Sequence, residues 1–167
     1  MIQPQLRVSL VCTGNICRSP MAEVVLRHLV AQDAYLPEHV EVTSAGTANW
    51  HVGAPMDPRA RRALNDAGFA GPGTPGAFAD AAYLNAHDLV VVMTREHRFD
   101  VLKRVTNERT EIVMLRNLIV PGCDLDLADP YYGTIDDFRE CLATISSAGQ
   151  RLIVEFRRRL GAGSREA

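Results

Sequence analysis

The stretch LRVSLVCTGNICRSP, residues 6–20, places a short apolar run directly before the start of an amphipathic one. The run is mainly aliphatic and β-branched, which is typical of a buried strand. Pro20 falls in the first turn of a predicted helix from Ser19 to about Ala34, where the missing N–H of proline costs nothing. The residues between Cys12 and Arg18 must then form a tight loop. The stretch therefore predicts a strand, a loop and a helix in direct succession.

The alternation of short apolar runs and longer helical patterns continues to the end of the chain. Four runs are rich in β-branched residues and bounded by turn residues, which predicts strands at residues 6–12, 40–45, 88–93 and 111–115. Asp57 before Pro58 predicts the start of a second helix, and Gly68 predicts its end. Apolar residues three or four apart predict a last helix from Ile135 to Leu160, with a weak spot near Gly149.

Strands that alternate with helices pair in parallel through right-handed crossovers. We therefore predict an α/β domain of three layers, in which helices flank a central four-stranded parallel sheet. The loop of residues 13–17 would join the first strand to the first helix. Ligands bind beyond the carboxyl ends of the strands in such sheets, and this loop is expected there.

The composition is that of one ordinary globular domain. The chain has 167 residues, of which 47% are hydrophobic and 23% charged, and this balance excludes an intrinsically disordered protein. We expect a single domain over residues 1–160, a frayed tail over residues 161–167, and a monomer. The net charge of −2 argues against nucleic acid or an anionic membrane as a partner.

No feature of the sequence directs the chain out of the cytoplasm. The N-terminus lacks the cationic start and long apolar run of a signal peptide. No stretch approaches the roughly 18 apolar residues that span a bilayer. The four cysteines are too few and too unevenly spaced for a secreted disulfide framework. These features predict a protein of the reducing cytoplasm.

The loop between Cys12 and Arg18 has the composition of an oxyanion cradle. Gly14 and Asn15 tolerate the left-handed backbone that turns successive N–H groups toward one centre. Arg18 places a planar fork, which matches two phosphate oxygens, at the start of a helix. A cysteine in that field is expected to be a thiolate with Ser19 as hydrogen-bond donor. The alternative is a buried core cysteine. The spacing of the two loop cysteines is not that of a zinc pair, and the loop lacks the ending of an ATP-binding loop.

Four motifs, in chain order, resemble those of one family. They are CTGNICRSPMAE at residues 12–23, TSAGT at 43–47, NWHVG at 49–53 and DPYYG at 129–133. The sequence is thereby similar to the low-molecular-weight protein tyrosine phosphatases over essentially its whole length. The resemblance implies an enzyme that hydrolyses phosphotyrosine in a protein substrate and releases inorganic phosphate, without a metal or an organic cofactor.

The resemblance also implies roles for single residues. Cys12 would be the nucleophile, Arg18 the phosphate clamp and Asp129 the general acid and base. The phosphate-binding loop would be completed by Thr13, Gly14, Asn15, Ile16, Cys17 and Ser19. The aromatic walls of a slot for an aryl phosphate would be Trp50, Tyr131 and Tyr132, and the alternative for any single aromatic is packing in the core. Ile16 favours phosphotyrosine over phosphoarginine, because the related protein-arginine phosphatases have a threonine at the position that it resembles.

The pattern departs from the family in two places. The segment GPGTPGAF at residues 71–78 lacks the histidine that usually follows the second helix, so Asn15 is expected to be held by Ser44 or by a backbone group. Thr94 follows Met93 where many members have an aspartate. Both changes concern the support of the site rather than its nucleophile, acid or phosphate ligands.

The remaining cysteines have separate expectations. Cys17 is predicted to form a reversible disulfide with Cys12 that protects the nucleophile from deeper oxidation, and the alternative is a small buried thiol. Cys123 and Cys141 are expected to be structural.

Two other functions stay open at this point. An arsenate reductase on the same fold needs a relay cysteine beyond the second helix, and no cysteine occurs between Cys17 and Cys123. A non-catalytic phosphotyrosine-binding protein would be expected to lack Cys12 or Asp129, and both are present. Turnover of an aryl phosphate separates an enzyme from a binding protein.

Overall fold

The computed structural model describes residues 3–162, so the predicted tail from residue 163 onward lies outside the described residues. At its centre is a parallel sheet with the strand order β2-β1-β3-β4. The strands are β1 (Leu6–Cys12), β2 (Val40–Gly46), β3 (Leu89–Val92) and β4 (Glu111–Met114). The predicted α/β fold with a four-stranded parallel sheet is confirmed. The single-domain boundary at residue 160 stays a prediction.

Helices cover both faces of the sheet. Within residues 3–162 they are α1 (Arg18–Ala31), α2 (Pro58–Asp66), α3 (Ala81–Asn85), α4 (Arg95–Arg104) and α5 (Ile135–Arg159), with 3-10 turns at Leu36–Glu38 and Leu115–Leu118. Leu10 and Cys12 of β1 belong to a core shared with α1, α2 and α5. Val11, between them, belongs to a second and smaller core shared with α3 and α4. The sheet is therefore the middle of three layers.

The strand register brings the functional loops together at one edge of the sheet. Cys12 at the end of β1 pairs with Gly46 at the end of β2. Val11 pairs with Val92 at the end of β3. Because the strands are parallel, the chain leaves all three at the same side, and the loop of residues 13–17 lies there.

The predicted element boundaries shift by a few residues. Helix α1 begins at Arg18 rather than Ser19 and ends at Ala31 rather than Ala34. Leu115 was predicted in the fourth strand but begins a 3-10 turn. The predicted ends of α2 are confirmed, because the Asp57 side chain accepts the N–H of Arg59 at 2.8 Å and Gly68 follows the helix with a φ of 84°.

Helix α5 runs unbroken through the weak spot at Gly149. A Cβ at this position would lie 3.0 Å from Leu29 Cδ1 and 3.4 Å from Val25 Cγ1 on α1. The glycine therefore lets the two helices approach closely at the cost of helix propensity. In the described part of the chain, neither α5 nor any other helix is long and apolar enough to cross a membrane.

Candidate active site

The loop of residues 13–17 curls beyond the carboxyl end of β1. Asn15 has the left-handed backbone that asparagine tolerates better than most residues, with a φ of 56°. The carbonyl groups of Cys12 and Thr13 accept hydrogen bonds from the chain that follows β2, and that of Ile16 accepts one from the start of α2, at 2.8 to 3.0 Å. The N–H of each of these peptide units points the opposite way, into the loop. This is the geometry of an anion-binding nest.

The end of β2 lies so close to this loop that it requires a glycine. A Cβ at Gly46 would lie 2.5 Å from the carbonyl oxygen of Thr13 and 3.2 Å from the backbone nitrogen of Asn15. Any side chain there would push the loop outward. This close contact explains why the fourth residue of the motif TSAGT is a glycine.

A chain of hydrogen bonds runs from the sulfur of Cys12 into the protein. The Sγ of Cys12 lies 2.9 Å from the Ser19 hydroxyl. The Asn15 amide donates to Ser19 Oγ at 2.8 Å and to Ser44 Oγ at 2.9 Å. Ser44 in turn donates to the carboxylate of Glu23, which is completely buried. Because Ser19 accepts from Asn15, its own proton can point at the sulfur and stabilise a thiolate there.

Asn15 is held without a histidine from the segment of residues 71–78. Its Oδ1 accepts the backbone N–H of Ala77 at 2.9 Å, and its amide nitrogen donates to Ser44. Both expected substitutes for the histidine, Ser44 and a backbone group, are therefore present. The other departure, Thr94, caps helix α4 by accepting the N–H of His97 at 3.2 Å.

Arg18 and Asp129 meet beside the loop. The Arg18 side chain is almost fully buried, and its Nη1 donates to the carbonyl oxygen of Leu127 at 3.0 Å. Its Nη2 donates to Asp129 Oδ2 at 3.1 Å. The other carboxylate oxygen accepts the N–H of Tyr131 at 3.1 Å. The Arg18 guanidinium and the Asp129 carboxylate therefore form an ion pair beside the loop.

These groups open into a single pocket of about 220 Å³. Its base is formed by the loop with Cys12 and Arg18, and its walls by Trp50, His51, Asp129, Tyr131 and Tyr132. Trp50 is 73% exposed and Tyr132 is 94% exposed, so neither packs in the core. The two tyrosine rings meet edge to face at 4.9 Å. Among the described residues, no group of three or more His, Cys, Asp or Glu side chains is placed to hold a metal ion.

Helix α2 ties the two sides of the pocket together. The N–H of Asp57 donates to the carbonyl of Ile16 in the loop at 2.8 Å. The Asp57 carboxylate binds Arg59, and this guanidinium lowers the pKa of the carboxyl group. Arg59 also donates to the carbonyl of Gly133 at 3.2 Å and lies 5.5 Å from the centre of the Tyr131 ring. The motif DPYYG is thereby anchored to the start of α2.

A buried histidine supports the loop from helix α4. His97 Nε2 lies 2.7 Å from the Thr13 hydroxyl, while Nδ1 has no partner among the described residues. Burial and the nearby positive charge of Arg18 lower the pKa of His97 to about 4, although Asp126 acts in the opposite direction. The imidazole is therefore neutral at neutral pH.

Comparison with known proteins decides the family. The family model described as low molecular weight phosphotyrosine protein phosphatase matches residues 7–162. The chain belongs to this family. The low molecular weight protein-tyrosine-phosphatase of Streptomyces coelicolor is 41% identical over 155 residues, which cover 90% of this chain and 93% of that protein. The low molecular weight protein-tyrosine phosphatase A of Mycobacterium tuberculosis is 43% identical over 149 residues, with 86% of each chain covered.

A solved structure agrees with this assignment. The protein tyrosine phosphatase of Entamoeba histolytica, crystallised with Hepes in its active site, superposes with a TM-score of 0.83 at 26% identity. The match covers 92% of this chain and 97% of that one. The predicted family, and with it the prediction of a phosphoric monoester hydrolase of the protein-tyrosine-phosphatase class, is confirmed.

Several residues of this phosphatase that shape the site were not singled out by the sequence. Glu23 lies inside the quoted motif, and full burial of a charged residue on α1 is visible only in the fold. Arg59 follows the Asp-Pro start of α2 and His97 lies in the mostly polar helix α4, and neither pattern indicates a role in the site. Cys17 is a free, buried thiol in the loop, and burial raises its pKa far above the ordinary value. Cys141 is also buried, which raises its pKa to about 12.

Proposed function

We propose that the chain is a protein-tyrosine phosphatase that hydrolyses phosphotyrosine monoesters through a phosphocysteine intermediate. The observation that carries the proposal is the convergence of Cys12, Arg18 and Asp129 on one pocket with aromatic walls. Membership in the phosphatase family supports it. The names of the Streptomyces and Mycobacterium relatives support it as well.

In the first step the Cys12 thiolate attacks phosphorus in line with the ester bond. The sulfur–phosphorus bond forms while the phosphorus–oxygen bond breaks, and the departing oxygen takes the proton of Asp129. Arg18 and the inward N–H groups hold the three equatorial oxygens as charge spreads over them. The Ser19 hydroxyl lies 2.9 Å from the sulfur and can donate a hydrogen bond to it.

In the second step a water molecule hydrolyses the phosphocysteine. Asp129, now a carboxylate, takes a proton from the water as its oxygen attacks phosphorus. The sulfur leaves as a thiolate, which Ser19 again stabilises at 2.9 Å. Inorganic phosphate departs, and Asp129 is protonated for the next cycle. The reaction closes with one water consumed.

Substrate choice follows from the depth and walls of the pocket. Trp50, Tyr131 and Tyr132 present flat rings beside a nucleophile that is itself only 3% exposed. A phenyl phosphate reaches such a sulfur, whereas phosphoserine is too short. The apolar Ile16 at the base favours an aryl ester over the guanidino group of phosphoarginine.

Initial rates on matched peptides that carry phosphotyrosine, phosphoserine or phosphoarginine test the proposal. We expect turnover of the phosphotyrosine peptide and at least about a hundredfold less of the others, in line with the rejection of substrates that leave a site's groups unpaired. The variant Cys12→Ser controls for background hydrolysis. Wild-type rates no higher than those of Cys12→Ser would reject the enzyme.

The alternative of an arsenate reductase has little support from the site. The thiol of Cys123 donates to Asn117 at 3.3 Å, and of the described cysteines only Cys12 and Cys17 line the pocket. We further propose that the enzyme acts as a monomer in the reducing cytoplasm, because each chain carries a full set of catalytic groups and its nucleophile must stay reduced. Light scattering at the assay concentration tests the monomer.

A further inference from the structure

The glycine- and proline-rich segment at residues 71–78 reaches the active site through a threonine. The Thr74 hydroxyl lies 3.0 Å from Oε1 and 2.9 Å from Oε2 of Glu23. The other partners of this carboxylate are the Ser44 hydroxyl and the Arg27 guanidinium, which lies 2.9 Å from Oε1. Thr74 is thus one of the groups that hold a buried negative charge next to the catalytic loop.

A buried carboxylate depends strongly on each of its donors. Its oxygens can only accept hydrogen bonds, and burial without enough partners is costly. Arg27 contacts Oε1 and Ser44 contacts Oε2, so each fixes one oxygen. Thr74 contacts both oxygens of Glu23 from one side. It therefore limits the rotation of the carboxylate plane that decides how Oε2 faces Ser44.

The orientation of Glu23 is transmitted to the phosphate-binding loop. Ser44 donates to Glu23, so its oxygen is left to accept from the Asn15 amide. Asn15 carries the left-handed backbone of the loop, and its other amide hydrogen bond goes to Ser19. Thr74 is the outer end of this path, and the Cys12 sulfur is the inner end.

The segment that carries Thr74 is closely packed on both sides of the threonine, which keeps its hydroxyl beside Glu23. A Cβ at Gly73 would lie 2.9 Å from Met56 Cε, and a Cβ at Gly76 would overlap the carbonyl oxygen of His51. The N–H of Gly76 donates to the carbonyl of Ala54 at 2.9 Å. The same segment also supplies the backbone N–H that binds Asn15 Oδ1. The segment therefore supports Asn15 directly, through the Ala77 N–H, and indirectly, through Thr74 and Glu23.

We infer that Thr74 is a positioning residue, whose hydroxyl orients Glu23 and thereby holds the phosphate-binding loop in its anion-binding shape. Its effect on turnover rests on the proposed function. Its effect on phosphate binding does not, because the loop binds the anion whether or not a bond is broken.

Three variants test the role of the hydroxyl. Thr74→Val removes it at nearly constant shape, and Thr74→Ser retains it. Thr110→Val is the matched control, since the Thr110 hydroxyl also donates a hydrogen bond to a group distant in sequence, at 2.8 Å to the His87 carbonyl, away from the pocket. For each variant we would measure thermal unfolding, kcat and KM on an aryl phosphate, and the inorganic phosphate concentration that half-protects Cys12 from iodoacetate.

Thr74→Val is expected to need about tenfold more phosphate for half-protection and to lose about tenfold in kcat/KM, as for a hydrogen bond to a charged group. Thr74→Ser should stay within about twofold of wild type in both, and Thr110→Val should lower only the unfolding temperature. Phosphate protection of Thr74→Val equal to that of Thr110→Val would overturn the inference, as would equal impairment of Thr74→Ser and Thr74→Val.

Two further outcomes are separable. Should Thr74→Val fail to fold, Thr74→Ala takes its place with the same expected loss of phosphate protection. Should the wild type bind phosphate without turning over any phosphate ester, the proposed function falls. The positioning role is then still decided by whether Thr74→Val weakens protection.

Discussion

Asp129 is held at the mouth of the pocket by two neighbours rather than left free in solvent. Arg18 binds one carboxylate oxygen and the Tyr131 N–H binds the other, both at 3.1 Å. Pro130 restricts the backbone just after it. A side chain fixed in this way points in one direction, which suits the proposed transfer of a proton to the leaving oxygen.

The variant Asp129→Asn should therefore lose activity in a manner that depends on the leaving group. A general acid contributes about a hundredfold or more when the leaving oxygen is strongly basic, and little when it departs readily as an anion. We expect kcat/KM, which reports the first step and not the hydrolysis of the phosphocysteine, to fall steeply with leaving-group pKa across a series of substituted phenyl phosphates, in contrast to a shallow wild-type dependence. An equal loss for every substrate would contradict the role of Asp129 as the acid.

Cys17 shares the loop with the nucleophile but differs from it in environment. Burial and the nearby negative charge of Asp57 raise its pKa, so its thiol stays protonated at neutral pH. After peroxide converts Cys12 to a sulfenic acid, attack by the Cys17 sulfur would form the disulfide and release water.

We expect mild peroxide to give a Cys12–Cys17 disulfide in the wild type and full recovery of activity on reduction. In Cys17→Ser the same treatment should drive Cys12 to sulfinic and sulfonic acids that a thiol does not reverse. Mass spectrometry of the peptides and activity after reduction measure both, with Cys141→Ser as the control variant. Equal recovery in Cys17→Ser and the wild type would count against the pairing.

Among the elements, strong local patterns were predictable and weak ones were not. Strand β1 and helix α5 agree closely with prediction, because their apolar residues recur at strand and helix spacing. Helix α4 was not assigned individually, since only His97 and Val101 of its ten residues are buried and its other apolar residues are exposed. The short α3 owes its start to a cap by Asp80, a signal too local to stand out.

Helix α2 makes a testable contribution through Arg59. The variant Arg59→Met would remove the bonds to the Gly133 carbonyl and the Asp57 carboxylate and the contact with Tyr131, while the Asp57 N–H bond to the loop remains. The segment that carries the acid should then become less well placed. We expect kcat/KM for a phosphotyrosine peptide to fall about tenfold, which is the effect of roughly one lost charged hydrogen bond.

The matched control for Arg59→Met is Arg62→Met, on the exposed side of the same helix and 3.9 Å from its partner Asp66. It should leave kcat/KM unchanged. The rate of Cys12 alkylation by iodoacetate should be the same in both variants, since the loop itself is not altered. Equal kinetic effects of the two substitutions would show that Arg59 does not anchor the acid.

In the molecule as a whole, the sequence pointed to Cys12, Arg18 and Asp129, which line one pocket, but not to the residues that support them. Cys12, Arg18 and Asp129 stand in motifs whose chemistry is carried by residue type and spacing. The contact of Glu23 with Thr74 joins residues 51 apart in sequence, and that of Thr13 with His97 joins residues 84 apart. Such pairs form only when the sheet brings the carboxyl ends of its strands together, so no local sequence pattern predicts them.

Two buried histidines extend this non-local support on the face of the sheet that α3 and α4 cover. His97 contacts the catalytic loop, as described above. His87 donates from Nδ1 to the Tyr83 carbonyl at 2.7 Å, so its Nε2 accepts from the Thr43 hydroxyl at 2.9 Å. Burial lowers the pKa of His87 as it does that of His97. Both rings are therefore neutral in the folded protein at neutral pH.

Acid should destabilise the fold through these two histidines before the carboxylates are fully protonated. A histidine with a lowered pKa binds its proton in the unfolded chain first, so stability is complete above about pH 6.5 and falls as the pH drops toward the folded value. For His97, with a folded pKa of about 4, the loss between pH 7.5 and pH 4 is about 3 kcal/mol. Urea unfolding at both pH values should show that the wild type loses about 3 kcal/mol more free energy of unfolding than His97→Gln does over this interval. The variant His87→Gln should also lose less than the wild type. If the wild type and His97→Gln lose the same free energy of unfolding over the interval, His97 is not held neutral by the fold.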